Sequence, residues 1–406
     1  MTKPSFTART ILSISQVDAS AWNACANPPD LPAGDTRGER YNPFISHAFL
    51  HALEESGSVG GRTGWAVAHL IVEDEAKRIV AAAPAYVKSH SMGEYVFDHA
   101  WAQAFERAGG SYYPKLQVAV PFTPVTGRRL LVRSDAPPGA RAALVGALRG
   151  LREALDASSV HVTFAEDADV AALTEGGFRL RAGEQFHFVN EGYTSFDAFL
   201  EALASRKRKA IRRERREALG DDIAIDLLTG SDIKSSHWDS FFAFYMDTGS
   251  RKWGRPYLTR EFFDLVGTSM ADDILLVMAR KDGRHIAGAI NFLGRDAIYG
   301  RNWGAVENRP FLHFEVCYYQ AIDYAIRHGF KRVEAGAQGE HKLARGYRPV
   351  ATHSAHFFAD RRFDAAVADF LRRERVAVDE MIADYEAGLP FRKGDPAPAR
   401  IEESEA

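Results

Sequence analysis

The stretch GAQGEHKLARGYRP, residues 336–349, gathers three glycines, an amide, a carboxylate, a histidine and three cations. Acyl transfer to an amine needs groups of these kinds: a base for the amine proton, donors for a tetrahedral oxyanion, and a cradle for an anionic donor molecule. Gly336, Gly339 and Gly346 permit positive φ and close backbone approach. Successive N–H groups in such a turn form an anion-binding concavity, and Gln338 adds a side-chain amide. Lys342, Arg345 and Arg348 bring positive charge, while Glu340, His341 and Tyr347 are the proton-handling candidates. The bland alternative is a tight turn whose Glu340 pairs with a neighbouring cation.

Other clusters answer this one. KSHSMGEYVFDHAW places His90, Glu94, Tyr95, Asp98, His99 and Trp101 within a short span. There Asp98 can orient the imidazole of His99, and Tyr95, Asp98 and His99 are candidates to line a cleft facing the second half. PFTPVTGRR has prolines that stiffen it, two threonine hydroxyls, and Arg128 and Arg129 for a carboxylate or phosphate. His47 and His51 stand one helical turn apart, a metal-ligand spacing. No third ligand is evident, so a solvent-facing or packed pair, and no metal, is expected. The run Ser205–Leu219 holds eight Lys or Arg and two Glu. It reads as a helix with a narrow apolar face, a clamp for a polyanion in which Arg208 and Arg212 are candidate contacts. Lys252, Trp253, Arg255 and Tyr257 suit an aromatic and cationic wall over a substrate.

These residues need elements to hold them. At 406 residues the chain is too long for one ordinary core. Hydrophobic content of 46% and charged content of 26% describe a globular protein, and a net charge of −3 exerts no global pull on nucleic acid or acidic membrane. Two cysteines, Cys25 and Cys317, lie far apart without metal spacing, which suggests a reducing compartment. No basic n-region with an apolar run opens the chain, and no apolar stretch approaches the roughly 18 residues of a membrane span. A cytoplasmic location is expected.

Two segments read as variations on one unit. Residues 65–72 and 274–279 are β-rich runs, each followed by a charged turn (73–78 and 280–285) and a small-residue strand, IVAAAPAYV and IAGAINFL. A third strand, a helix and a further strand follow, the last beginning after Tyr113 or Phe330. By this alignment PFTPVTGRR occupies the place of GAQGEHK. The second unit spells strand 223–228, helix 236–246, helix 259–267 stopped by Gly267, strands near 274–279, 286–293 and 297–303, and a helix starting at Pro310 and ending at Gly329. Strand FKRVEAG, the glycine-rich loop, strand THSAHFFA and a closing helix from residue 361 to 388 complete it.

The order β-α-α-β-β-β-α-β-loop-β resembles the GNAT acyltransferase fold. The segments NPFISHAFLHALEESGSVGGRTGW, HSMGEYVFDHAWAQAFERAGGSYYPKLQVAVPFTPVTGRRLL and GAQGEHKLARGYRPV resemble the FemAB-like predicted N-acyltransferase family, also labelled peptidoglycan biosynthesis/recognition proteins. The resemblance implies an α/β (α+β) protein of two tandem duplicated GNAT-like units, mixed central sheets flanked by helices. The expected units are 1–195 and 196–390, with the basic helix 197–219 at the junction and a flexible tail at 391–406. It implies N-acyl or aminoacyl transfer to an amine of a small or cell-wall-related substrate, by direct attack on the activated acyl group. A similar basic helix precedes the second domain of Fem-type peptidyltransferases, which take their acyl group from aminoacyl-tRNA. Acetyl-CoA enzymes carry an Arg/Gln-x-x-Gly-x-Gly/Ala loop before the central helix; here GRNWGAVENRPF keeps Arg301 and Gly304 but not the full pattern. Arg301 and Trp303 are candidate donor contacts, and the donor stays open between acyl-CoA and aminoacyl-tRNA. The alternative is a non-catalytic protein that recognises a peptidoglycan fragment or nucleic acid.

Overall fold

A computed structural model describes residues 4–28, 41–252, 256–337 and 339–392. Gln338, Trp253 and Arg255 lie outside the described residues, as do the side chain of Lys252 and positions 393–406. The strands of the first half are β1 (Thr7–Ile11), β2 (Trp65–Val67), β3 (His69–Glu73), β4 (Ile79–Ala83), β5 (Ala85–Lys88), β6 (Lys115–Val118), β7 (Leu131–Val132), β8 (Ser159–Ala165) and β9 (Arg179–Val189). Those of the second are β10 (Ile223–Leu228), β11 (Ile274–Lys281), β12 (Arg284–Leu293), β13 (Ala297–Ala305), β14 (Arg332–Glu334) and β15 (Arg348–Phe358).

The second half follows the expected order: β10, helices Ser235–Lys252 and Arg260–Ser269, then β11 to β13, a helical segment, β14, the glycine-rich loop and β15. Three details differ. Gly267 does not stop its helix; it sits under Trp238, where a Cβ would come 2.4 Å from the indole nitrogen. Pro310 precedes the helical segment rather than opening it, because Phe311 adopts a left-handed φ of 61° and helix begins at Leu312. That segment also carries a π-turn, Glu315–Tyr319, before the α-helix Gln320–His328.

The first half departs further. Its two expected long strands each break in two. Pro84, which cannot donate to a ladder, divides β4 from β5, and Ala68 divides β2 from β3. The β3 and β4 parts enter a small sheet ordered β1-β3-β4-β7, while β2 and β5 enter the large one. Residues 89–98 form no strand. The match of Tyr113 with Phe330 also falls. Parallel strands need a crossover connection, and β6 runs parallel to β8 across the helix Ala140–Ala154, as β13 runs parallel to β14 across Leu312–His328. So β6 answers to β13, and PFTPVTGRR does not stand where GAQGEHK stands.

The large sheet has eleven strands in the order β10-β11-β12-β13-β14-β9-β15-β8-β6-β5-β2. The halves therefore exchange strands. β9, from the first, lies between β14 and β15 of the second; β15, from the second, lies between β9 and β8 of the first. The main core is shared too: Phe44 and Phe49 from the first half meet Phe292 at 5.1 and 5.4 Å, and Phe49 meets Phe262 at 5.7 Å. The basic segment comprises two helices, Phe196–Ala202 and Ser205–Leu219, and Phe391–Arg392 are tied to their junction by the Leu203–Phe391 bridge and the Arg392 N–H to Ala202 O bond.

We propose units 1–195 and 196–390 as repeats of descent, each completing its sheet with a strand of the other. Separately expressed, each half then exposes a long unpaired strand edge. Residues 1–195 and 196–392 are expected to be insoluble or unfolded by circular dichroism alone, and to recover native signal when co-expressed; a cooperative melt from either half alone would contradict this.

Candidate active site

β13 and β14 pair only over Ala297–Tyr299 and Arg332–Glu334. β13 then continues to Ala305 while β14 ends, and the parting strands leave a hollow of about 90 Å³. Asn291, Arg301, Trp303, Cys317 and Tyr318 line it, and Ala335 closes its floor. Gly300 keeps the gap open: a Cβ there would lie 3.3 Å from Asn291 Oδ1 and 3.4 Å from the Glu334 carbonyl. The Asn291 amide donates to Leu275 O at 3.1 Å, but its buried Oδ1 has no partner among the described residues.

From Ala335 the chain enters the loop noted in the sequence. Gly339 takes a φ of 117° and Gly346 of 84°. At Gly346 a Cβ would meet the Phe199 ring at 2.7 Å. Between them Glu340–Arg345 forms a 3-10 turn whose spacing turns Lys342 and Arg345 inward. Lys342 is buried and donates to Gly336 O at 2.8 Å; burial pushes its amine down to about 7. Arg345 lies 3.4 Å above the Phe314 ring and bonds both Glu214 oxygens at 3.0 and 2.9 Å. Arg348 pairs with Glu191. These cations thus build the loop rather than an open anion cradle, a correction with a physical cause: a buried charge needs a partner, and carbonyl and carboxylate oxygens here supply it.

The proton-handling trio separates in space. His341 bonds through Nε2 to the Tyr318 hydroxyl at 2.9 Å, so it reaches the hollow through Tyr318. Partial burial, then Arg345 and Lys342, depress its pKa below the usual histidine value. Glu340 is exposed, accepts from Tyr385 at 2.8 Å on the closing helix, and does not line the hollow. Tyr347 is fully buried beneath the loop, its hydroxyl without a hydrogen-bond partner among the described residues and its pKa pushed up by burial.

Arg301 is the link between halves. Its guanidinium donates to Phe122 O and to the Tyr95 side chain, and Tyr95 holds a left-handed φ of 60°. Trp303 meets His313 edge-on at 5.2 Å. Tyr257 stacks on Phe122 at 4.6 Å. Asp98 does not orient His99. It is buried and accepts from Tyr112 at 2.8 Å and from Lys115, which also donates to Glu94 at 2.7 Å and Ser91 at 2.8 Å. His99 is exposed at the start of its helix. The network continues to His161 and His356, Nδ1 to Nδ1 at 2.7 Å, and burial pushes His161 down to about 3. His47 turns its Nε2 to the carbonyls of Ile14 and Val17 at 3.1 and 3.2 Å, and no metal-holding group of three ligands occurs among the described residues.

The basic helix faces both ways. Arg206, Lys209, Arg212, Arg213 and Arg216 are exposed, Arg212 pairing with Asp197 at 2.9 Å, and Arg208 is half-buried. Inward, Glu214 clasps Arg345 and takes the Tyr319 hydroxyl, while Arg215 bonds Glu315 at 2.9 Å over the Phe196 ring. Sequence reasoning missed Glu214, Asn291, Cys317 and Tyr318. The odd carboxylate inside a cationic run was a signal for Glu214; the others stand in ordinary apolar strand and helix patterns.

The first half's counterpart gap, between β6 and β8, is filled. The loop 119–130 crosses it, with a bridge from Gly127 to Ala165. Arg129 lies buried there, donating through Nε to Thr163 O at 2.9 Å and through a terminal nitrogen to Val125 O at 2.6 Å.

Comparison with solved structures finds the same architecture at low identity. The C-terminal domain of a candidate lysylphosphatidylglycerol synthetase from Agrobacterium fabrum superposes with a TM-score of 0.53 at 10% identity, covering 89% of this chain and 96% of that one. FemX superposes with a TM-score of 0.52 at 12% identity, covering 87% and 98%. These likenesses show the fold alone. A search of curated proteins finds no match. Among the described residues no helix is long and apolar enough to cross a membrane. Residues 13–393 match the family described as peptidoglycan biosynthesis/recognition, and the chain belongs to that FemAB-like family.

Proposed function

We propose that the chain transfers an activated acyl or aminoacyl group to an amine of a small or peptidoglycan-related substrate, and that the reaction takes place in the hollow between β13 and β14. One observation carries the reading: a cleft lined by both polar and apolar side chains holds Tyr318, whose hydroxyl lies 2.9 Å from a solvent-connected imidazole. In this scheme the attacking amine passes its proton to the Tyr318 oxygen as the hydroxyl proton moves to His341 Nε2. The depressed pKa keeps His341 neutral near pH 7, as a proton acceptor must be. Family membership and the FemX-like fold support transfer chemistry; acyl-CoA and aminoacyl-tRNA both remain donors for the scheme. The exposed cations of the basic helix, among them Arg206, Lys209 and Arg216, support a reading in which tRNA phosphates are held there. The second reading, binding without catalysis, draws on Glu340 lying off the hollow and the loop cations being already paired.

A thermal-shift screen against acetyl-CoA, longer acyl-CoAs and aminoacyl-tRNA separates the donors, because a ligand of the native state raises the melting temperature by mass action. With the donor in hand, His341→Gln and Tyr318→Phe are each expected to lower kcat about 100-fold with little change in KM. The acid limb of the wild-type profile should fall below the ordinary histidine range. Unchanged turnover in either variant would remove the relay.

Stability reads the Lys342 amine separately. Its folded pKa of about 7 lies below the ordinary 10.5, so between those values the unfolded chain binds more protons and stability rises with pH. Urea midpoints of the wild type, relative to Lys342→Met, are expected to climb from pH 7 to pH 10; parallel curves would show the amine is not depressed.

A further inference from the structure

The hollow contains a nucleophile that direct transfer leaves idle. Cys317 lines it from the π-turn Glu315–Tyr319, a widened turn of the kind that recurs at functional sites. Cys317 is half-buried, and its neighbour in the π-turn, Tyr318, bonds His341 of the glycine-rich loop at 2.9 Å. Lys342 is the buried amine of the glycine-rich loop, bonded to Gly336 O, and burial keeps a large share of it neutral near pH 7. The second observation is independent of the thiol. Asn291 is fully buried, lines the same hollow, and its Oδ1 accepts from nothing among the described residues. A buried acceptor left alone costs about 1–3 kcal/mol, and an N–H donor brought by a molecule in the hollow removes that cost.

We propose that Cys317 carries the acyl group as a thioester during the transfer, and that Asn291 Oδ1 then holds the incoming amine. The proposal rests on the acyl-transfer reading above and replaces its single displacement by two. In the first, neutral Lys342 takes the thiol proton and Cys317 Sγ attacks the acyl carbon. The S–C bond forms, the donor's C–O or C–S bond breaks, and the leaving group departs with the proton from Lys342. In the second, the amine attacks the thioester carbon, its N–H donated to Asn291 Oδ1. The N–C bond forms, the C–S bond breaks, the amine proton leaves through Tyr318 to His341, and the Cys317 thiolate takes a proton from water as His341 returns its own to solvent. No oxidant, reductant or further reactant is needed.

The test uses the full chain with p-nitrophenyl acetate as probe, read by phenolate release, intact mass and peptide mapping. The expected result is one acetyl group on Cys317, released by neutral hydroxylamine as thioesters are. Cys25 serves as an internal control, since it is fully buried and its thiol is pushed up to about 12. Cys317→Ala should abolish the label. Cys317→Ser, with an unchanged melting curve, should convert any label to an oxygen ester of slower release. Lys342→Met should slow labelling at pH 7 about tenfold and move its rise to higher pH. Asn291→Leu should label normally but discharge slowly to added methylamine. A hydroxylamine-stable amide on Lys342, or no acetyl on Cys317, overturns the proposal. If Cys317→Ala still transfers from the donor identified by the thermal-shift screen, the thioester falls and direct transfer stands. If Cys317 labels but no amine discharges it, the second displacement and the amide-forming reading fall together.

Discussion

The sheet cannot be completed by either half. β9 has its hydrogen-bonding partners in β14 and β15, both more than a hundred residues downstream, and β15 has its own in β8 and β9. Everything around the hollow inherits its geometry from this exchange. β14 is only three residues long, and β9 fixes it on one side while β13 fixes it on the other. A strand so short has little stability of its own, and its end, where Ala335 begins the glycine-rich loop, is placed by neighbours from both halves. The shared aromatic core around Phe44, Phe49, Phe262 and Phe292 acts in the same sense, at roughly 1.5–3 kcal/mol per buried ring.

On that frame a second set of forces aims the loop. Glu214 and Arg345 form an ion pair in which both side chains are largely buried, and Phe314 lies against the guanidinium. Losing one partner of such a pair strands the other charge, at about 3–5 kcal/mol. The cationic helix Ser205–Leu219 therefore has two separable duties: its inner edge grips the loop and the π-turn, while its outer edge faces solvent with Arg206, Lys209, Arg212, Arg213 and Arg216.

Much of the second half was legible because its strands are unbroken and its helices carry caps such as Thr259, whose side chain accepts from Phe262 N. The first half was not. Its β2/β3 and β4/β5 runs look like single strands until three-dimensional pairing sends their ends to different sheets, and one helix of similar character was matched to the wrong crossover. At the site, glycine spacing marked the loop. It did not tell which way the cations point, because a 3-10 turn redistributes side chains differently from an extended loop. Tyr318, Cys317 and Asn291 come from a helix and a strand whose apolar patterns give no warning, and only the parting of β13 from β14 makes them neighbours. Asp98 and His99 were adjacent in sequence, yet burial of one and exposure of the other part them.

The two halves share an architecture but not an open gap. Where β6 and β8 part, Arg129 fills the space and satisfies carbonyls of Val125 and Thr163, with Asp169 bonded to its backbone N–H. Reopening that space would expose a buried guanidinium and orphan the oxygens it serves. On the reading proposed above, the described residues then offer one such gap: a molecule shaped for the parting of the parallel strands should saturate it at a stoichiometry of one, with no second phase in its titration curve from the sister gap.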